Sequence, residues 1–186
     1  MKVIFSRKGF DASAGGCPSP IIDGRPLSLP IPYLSSTKSY RHFNLGRIVT
    51  DLSNGKLGES DFCHNDPDLQ MGAFGQVSAA QSHLNNQNVG PGDLFLFFGW
   101  FREAEFVDDK YRYNRDAREH HRIFGWMFIE QKITVGSETK QFSRNYPKYA
   151  NHPHAIGQWA SNNTIYIAPQ SFSLFHKVLV KGFGRF

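Results

Sequence analysis

An uninterrupted apolar run, Leu-Phe-Leu-Phe-Phe at residues 94–98, is the feature that most constrains how this chain can fold. The sequence Gly-Pro-Gly-Asp precedes it at residues 90–93, and Pro followed by Gly favours a type II turn. Because the run does not alternate with polar residues, it predicts a strand that is buried on both faces. Gly99 follows directly, which is typical of a bulge or a close backbone approach.

The clearest helical pattern covers residues 73–87. Four apolar residues there fall on one stripe at helical spacing: Ala73, Val77, Ala80 and Leu84. Further strands are expected at residues 2–5, 123–129 and 164–168. Long loops are expected at residues 6–20, 35–61 and 102–122, the last of which is highly charged. This order predicts an α+β fold with a mostly antiparallel, barrel-like sheet, one clear helix and long loops.

The composition is that of a Phe-rich, moderately basic chain. Its 186 residues predict a single domain over residues 1–186, and 17 of them are Phe. The net charge of +5 permits a nucleic-acid or nucleotide partner without requiring one. No apolar run approaches the roughly 20 residues of a membrane span, and the N-terminal sequence is not that of a signal peptide. The two cysteines form neither a disulfide framework nor a zinc-binding spacing, so we expect a cytoplasmic protein.

Two cations leave the first predicted strand and enter a glycine-containing loop. Ser6, Arg7, Lys8 and Gly9 form this segment, and Asp11 follows them. Backbone N–H groups of such a loop can surround an anion, and cationic side chains neutralise phosphate. We therefore interpret Ser6 to Gly9 as candidates for nucleotide or base binding and Asp11 as a candidate general base. A basic surface connector explains the same residues without any function.

A second group of polar residues surrounds Asp66. His64 and Asp66, together with the distant His154, match the ligand types of a two-histidine, one-carboxylate metal site. Asp66 is also a candidate general base, and Asp68 a candidate for hydrogen bonding to a base edge. The alternative is a purely structural turn, because Asn-Asp-Pro-Asp at residues 65–68 is rich in turn formers and Asp68 could cap the following helix. A divalent metal is therefore an open cofactor assignment.

Aromatic residues flank a glycine on two successive predicted strands, as Phe-Gly-Trp at residues 98–100 and at residues 124–126. Arg102 stands two residues after Trp100. Aromatic faces beside an arginine are what a flipped or single-stranded base stacks on, so Trp100 and Arg102 are candidates for base binding. Most aromatic residues in strands belong to the core, which is the alternative here.

Three segments of the chain together resemble one family. The first runs from residue 5 to residue 32, the second covers residues 63–76 (beginning Cys-His-Asn-Asp-Pro-Asp-Leu), and the third joins residues 87–102 with Ile-Phe-Gly-Trp at residues 123–126. In this order they resemble the nucleotide modification associated domain 3 family of bacterial and phage proteins. The resemblance implies a setting in systems that modify or handle unusual bases in nucleic acid. It also implies a chain shortened at its C terminus.

A weaker similarity is at the level of the fold. Pro-Gly-Asp before an apolar strand, followed by a strand of the Ile-Phe-Gly-Trp type, is similar to PUA-like domains and their EVE and ASCH relatives. Those small β-barrels often hold a modified base or RNA, although function does not follow from fold. The sequence thus predicts a domain that recognises a modified base or nucleotide. The alternatives are an enzyme acting on such a base, metal-dependent through His64 and Asp66, or an interaction scaffold in the same kind of system.

Overall fold

The computed structural model describes residues 1–174 and 178–186, which form an α+β structure. The strands are β1 (Val3–Arg7), β2 (Ser19–Ile22), β3 (Arg25–Pro26), β4 (Ile31–Pro32), β5 (Cys63–His64), β6 (Ala73–Gln76), β7 (Leu94–Val107), β8 (Lys110–Tyr113), β9 (His120–Phe128), β10 (Gln131–Thr134), β11 (Thr164–Ile167), β12 (Ser171–Leu174), β13 (Val178–Lys181) and β14 (Phe183–Arg185). The helices are α1 (Gly46–Leu52), α2 (Ser78–Asn86) and α3 (Thr139–Asn145). No helix in these ranges is long and apolar enough to span a membrane.

The strands pair into mostly antiparallel sheets. A seven-stranded sheet has the order β14-β9-β7-β2-β3, and β1 and β8 also pair with β7. Within it β2 runs parallel to β7. A three-stranded sheet has the order β10-β11-β6. The α+β prediction with mostly antiparallel pairing is confirmed, but the pairings of residues 1–174 and 178–186 do not close a barrel, so the barrel-like and PUA-like predictions are not confirmed.

The chain forms two compact units. The first unit contains residues 1–6, 66–96 and 125–185, and the second contains residues 7–65, 97–124 and 186. In the first unit, the rings of Phe74, Phe95 and Tyr166 pack together, with centroids 4.9 Å apart for Phe74–Phe95 and 5.2 Å apart for Phe95–Tyr166. In the second unit, Phe10 packs edge-on against Tyr40. Each unit therefore has an aromatic core of its own, which accounts for many of the Phe residues.

Strand β7 alternates in burial along its first eight residues. Phe95, Phe97 and Phe101 are fully buried, whereas Phe98 and Trp100 are half-buried on the opposite face. The prediction that the apolar run is buried on both faces is therefore wrong. Apolar residues also contribute much of a protein's accessible surface, so residue type alone does not report burial.

The predicted helix over residues 73–87 begins later than its apolar stripe. Ala73–Gln76 form strand β6 and pair with Thr164–Ile167 of β11, and the helix α2 begins at Ser78. Here sheet pairing with a segment far along the chain prevails over a local helical pattern. Position Ser78 has a positive φ of 56°, which marks the change from strand to helix.

Two predicted loops contain regular structure, so the prediction of one helix is also wrong. In residues 35–61, the helix α1 buries Ile48, Val49 and Leu52. Residues 102–122 are largely strand, because β7 turns into β8 through Asp108 and Asp109, both at positive φ. Asp tolerates this conformation, which suits a two-residue hairpin turn, and the charged side chains of the hairpin face solvent.

Asp93, in the predicted turn before β7, leads to a prediction about how the stability of the protein depends on pH. Asp93 is buried, and its carboxylate accepts the backbone N–H groups of Lys2 and Gly90 at 2.7 and 3.1 Å. Burial raises the pKa of Asp93, but these two hydrogen bonds and the charge of Lys2 outweigh it and lower the pKa. A lowered pKa contributes stability that is present above the unfolded value near 4 and is lost as the pH falls through the folded value. We expect the melting temperature to fall below about pH 4, and Asp93→Asn to be less stable at pH 7 and to flatten that fall. An unchanged acid profile in Asp93→Asn melts would contradict this role.

Candidate functional site

The residues predicted from the sequence fall in both units. Those of the first unit are Ser6, Asp66, Asp68 and His154. Those of the second unit are Arg7, Lys8, Gly9, Asp11, His64, Trp100 and Arg102. The structure brings two subsets of them together, one in each unit. We call them the carboxylate–histidine centre (Asp66 and His154, together with His152, which was not predicted) and the loop–strand surface (residues 7–9 with Trp100 and Arg102).

The Asp66 carboxylate is oriented from two sides. Its side chain is 2% exposed, and its Oδ1 atom accepts the backbone N–H of Gly75 at 2.7 Å. The Nε2 atom of the fully buried His152 lies 3.2 Å from the same oxygen, at an angle outside normal hydrogen-bond geometry. The Nδ1 atom of His152 accepts the backbone N–H of His154, so in the neutral ring the proton is on Nε2 and faces the carboxylate.

The tautomer of His154 is set by Asn163. The Nδ2 atom of Asn163 donates to the carbonyl groups of His154 and Gly136, so its Oδ1 atom is an acceptor. That oxygen lies 2.6 Å from Nδ1 of His154. The neutral His154 ring therefore carries its proton on Nδ1 and its lone pair on Nε2. Both side chains are buried, which keeps this hydrogen bond away from water.

The ring of His154 is also held by packing. It stacks on Trp159 with the centroids 4.3 Å apart and the planes 10° apart. On Gly75 there is no room for a side chain, because a Cβ atom there would lie 2.1 Å from Cδ2 of His154. A short 3₁₀ turn, Pro153–Ala155, presents the ring, and His152 caps this turn through its side chain. Pairing of β6 with β11 brings Gly75 close to Asn163, which precedes β11.

These contacts assemble two electron-pair donors in a buried position. One carboxylate oxygen of Asp66 and one ring nitrogen of His154 lie within 4.8 Å of each other. A carboxylate and an imidazole lone pair at this separation can accept a proton from a substrate or bind a cation. His64 stands two residues before Asp66, in β5 of the second unit, where its ring packs edge-on against Tyr33 at 5.2 Å.

Three participants in this centre were not among the predicted site residues. His152 is part of the sequence His-Pro-His at residues 152–154, in which only His154 is a predicted metal ligand. Asn163 and Gly75 carry no local signal for such a role. They reach the centre through the pairing of β6 with β11, and sequence reasoning without that pairing could not find them.

The loop–strand surface is anchored on β7 at both ends of the loop. At its start, the backbone N–H of Lys8 donates to the carbonyl of Phe98 at 2.8 Å. A Cβ atom on Gly99 would lie 2.7 Å from the carbonyl oxygen of Lys8, so the glycine permits this close approach. At its end, β2 pairs with β7 and aligns Ser19 with Phe101. The cationic segment thus begins beside the strand that carries Trp100.

Trp100 and Arg102 lie on the same face of β7, because alternate residues of a strand share a face. The guanidinium group of Arg102 lies 5.4 Å from the ring centroid of Tyr113, and its Nη2 atom donates to the carbonyl of Asn114 at 3.0 Å. The Tyr113 hydroxyl donates to the carbonyl of Pro18 at the end of the loop. The Nε atom of Arg102 is buried and has no hydrogen-bond acceptor among the described residues.

Asp11 and Asp68, two of the predicted site residues, accept hydrogen bonds within the turns in which they lie. Oδ1 of Asp11 accepts the hydroxyl and backbone N–H of Ser13 and the backbone N–H of Ala14, at 2.7 to 2.8 Å. The hydrogen bond from the Ser13 hydroxyl is the largest cause of the lowered pKa of Asp11, which makes this carboxylate a weaker base. Asp68 accepts the backbone N–H groups of Gln70 and Met71, so it stabilises a turn and does not cap α2.

Comparison with known proteins gives one match. A family model described as nucleotide modification associated domain 3 matches residues 2–186. No curated protein and no solved structure matches the chain.

Proposed function

This chain belongs to the nucleotide modification associated domain 3 family, and from that premise we propose that it recognises a modified base or nucleotide in a nucleic-acid modification or defence system. The proposed binding site is the loop–strand surface of the second unit. There the cations Arg7 and Lys8 attract phosphate, and Trp100 offers an aromatic face for a base. Gly9, which follows the two cations, supplies a further backbone N–H group to the same segment.

The buried Nε atom of Arg102 is the observation that carries this proposal. A buried N–H group without an acceptor costs about 1–3 kcal/mol, and more when it belongs to a charged side chain. Native structures therefore leave such a group mostly where an ion, water or ligand accepts from it. A phosphate or carbonyl oxygen of a nucleotide suits this position, because Arg102 shares its strand face with Trp100.

The direct test is titration of the protein with oligonucleotides that differ only in one base modification, at two salt concentrations. We expect binding that prefers the modified base, and a phosphate-dependent part of the affinity that weakens as salt rises. Binding that ignores the modification, or no binding to either oligonucleotide, would overturn the proposal.

The cations Arg7 and Lys8 give a second, quantitative prediction. In Arg7→Gln and in Lys8→Gln, we expect affinity to fall for modified and plain oligonucleotides alike, and the slope of log affinity against log salt to shrink by about one per lost phosphate contact. Lys140→Gln, which removes an exposed cation from helix α3 of the first unit, is the matched control and should leave the slope unchanged. Equal slopes for all three variants and the unmodified protein would show that the loop does not bind phosphate.

A second function, chemical transformation of the nucleotide, is favoured by the carboxylate–histidine centre. Asp66 and His154 are buried, oriented by named contacts, and close enough to share one substrate atom or ion. Catalytic groups need such preorganisation, whereas a simple stacking surface does not. Incubation with candidate nucleotides followed by mass spectrometry tests this function. A product that forms equally well with His154→Gln would exclude the centre as its source.

A further inference from the structure

We propose that Asp66 and His154, both in the first unit, are ligands of one divalent first-row transition-metal ion. This inference does not depend on nucleotide recognition by the loop–strand surface. It rests on three features of the centre: its donor atoms, its burial and the contacts that orient each donor.

The donor atoms suit a cation. A carboxylate oxygen of Asp66 and a nitrogen of His154 lie within 4.8 Å of each other, and both groups can donate an electron pair. Two ligand atoms held about 2.1 Å from one ion stand about 3–4 Å apart, so a small side-chain adjustment suffices. The Asp66 carboxylate is only 2% exposed, so water would screen its attraction to a bound cation weakly.

Each donor is oriented as metal ligands are. A histidine that binds metal through one ring nitrogen usually donates the other N–H to a protein oxygen, and here Nδ1 of His154 lies 2.6 Å from Asn163 Oδ1. Ligand carboxylates are likewise hydrogen bonded, as Asp66 is by the N–H of Gly75. The Nε2 atom of the buried His152 lies 3.2 Å from Oδ1 of Asp66, so its N–H faces the carboxylate and limits how that group can turn.

The ligand types indicate the class of metal. Imidazole nitrogens with a carboxylate oxygen suit zinc, iron, cobalt and related ions, whereas calcium and magnesium prefer oxygen donors throughout. The free cysteines Cys17 and Cys63 are not among the proposed ligands, so the proposed site contains no thiolate.

The experiment uses full-length protein without a histidine tag, stripped with a chelator and titrated with Co²⁺. Binding is followed by visible absorption, and the ion content is measured by elemental analysis after dialysis. We expect about one Co²⁺ per chain and competition by Zn²⁺. Asp66→Asn and His154→Gln should each weaken binding at least about tenfold.

His83 on helix α2 provides the control. It is an exposed histidine in the first unit, so His83→Gln should bind Co²⁺ as the unmodified protein does. Far-ultraviolet circular dichroism of the metal-free variants separates loss of a ligand from loss of the fold. The proposal is overturned if the unmodified protein binds no Co²⁺, or if the folded Asp66→Asn and His154→Gln variants bind it with unchanged affinity. Oligonucleotide binding by the same metal-free protein shows separately whether the proposed function holds.

Discussion

Replacing Gly75 with alanine is expected to lower the melting temperature by roughly 10 °C. The added Cβ atom would lie 2.1 Å from Cδ2 of His154, 2.3 Å from Cγ and 2.8 Å from Nε2. The His154 ring cannot move away without losing its stacking contact with Trp159 and its hydrogen bond to Asn163. Overpacking at such a site costs about 3 kcal/mol, which corresponds to the stated shift for a chain of this size. Differential scanning calorimetry measures it.

Gly90→Ala is the matched control, since no atom of the described part of the chain lies within 4 Å of a Cβ at that position. It should change the melting temperature by less than about 2 °C. A double-mutant cycle sharpens the test: with His154→Ala already present, Gly75→Ala should be much less destabilising, because the ring it meets is gone. Equal effects of Gly75→Ala in both backgrounds would show that His154 does not occupy this space.

Replacing Asn163 with leucine is expected to have two separate effects. The first is a loss of stability of about 3–5 kcal/mol, because a fully buried side chain loses contacts to His154 and to the carbonyl of Gly136. The second is a Co²⁺ affinity that is about 10–100-fold weaker, because the proton of His154 is no longer held on Nδ1. Chemical denaturation measures the first effect, and a Co²⁺ titration below the melting range measures the second.

Two further variants separate stability from ligand orientation. Asn163→Asp keeps an acceptor for Nδ1 of His154 but loses the donor to two carbonyl groups, so it should lose stability while retaining Co²⁺ binding. Asn162→Leu removes the bonds of the neighbouring residue to Ser78 and Ser82, away from the centre, and should leave Co²⁺ affinity unchanged. If metal affinity follows stability across all three variants, Asn163 is a structural residue only.

Asp66 and His154 of the carboxylate–histidine centre were predictable from the sequence, but their orientation was not. His64, Asp66 and His154 were selected as metal ligands from residue type and spacing alone, and the structure places Asp66 and His154 within reach of one ion. Their orientation was not predictable. His152 and Asn163 act through tautomers and hydrogen bonds that exist only once the 3₁₀ turn at Pro153–Ala155 and the start of β11 are in place.

The residues of the loop–strand surface were likewise predictable by type, whereas their burial and packing were not. The cations Arg7 and Lys8 and the aromatic Trp100 are identifiable by residue type, and Gly99 correctly indicated a close backbone approach. The burial of β7 was predicted wrongly. The sequence therefore did not show that Trp100 and Arg102 share the less buried face of this strand. The Nε of Arg102, which has no acceptor within residues 1–174 and 178–186, depends on side-chain packing, for which a sequence has no signal.

Residue types and local patterns were sufficient to identify the family, the α+β class and the elements with strong patterns, such as the strand that begins at Leu94. They were not sufficient for residues 73–76, which form a strand rather than the first turn of a helix because they pair with β11, far along the chain. That pairing also places Gly75 and Asn163 at the centre. Local pattern follows from neighbouring residues, whereas a site depends on contacts between distant segments, and these form only when the chain is folded.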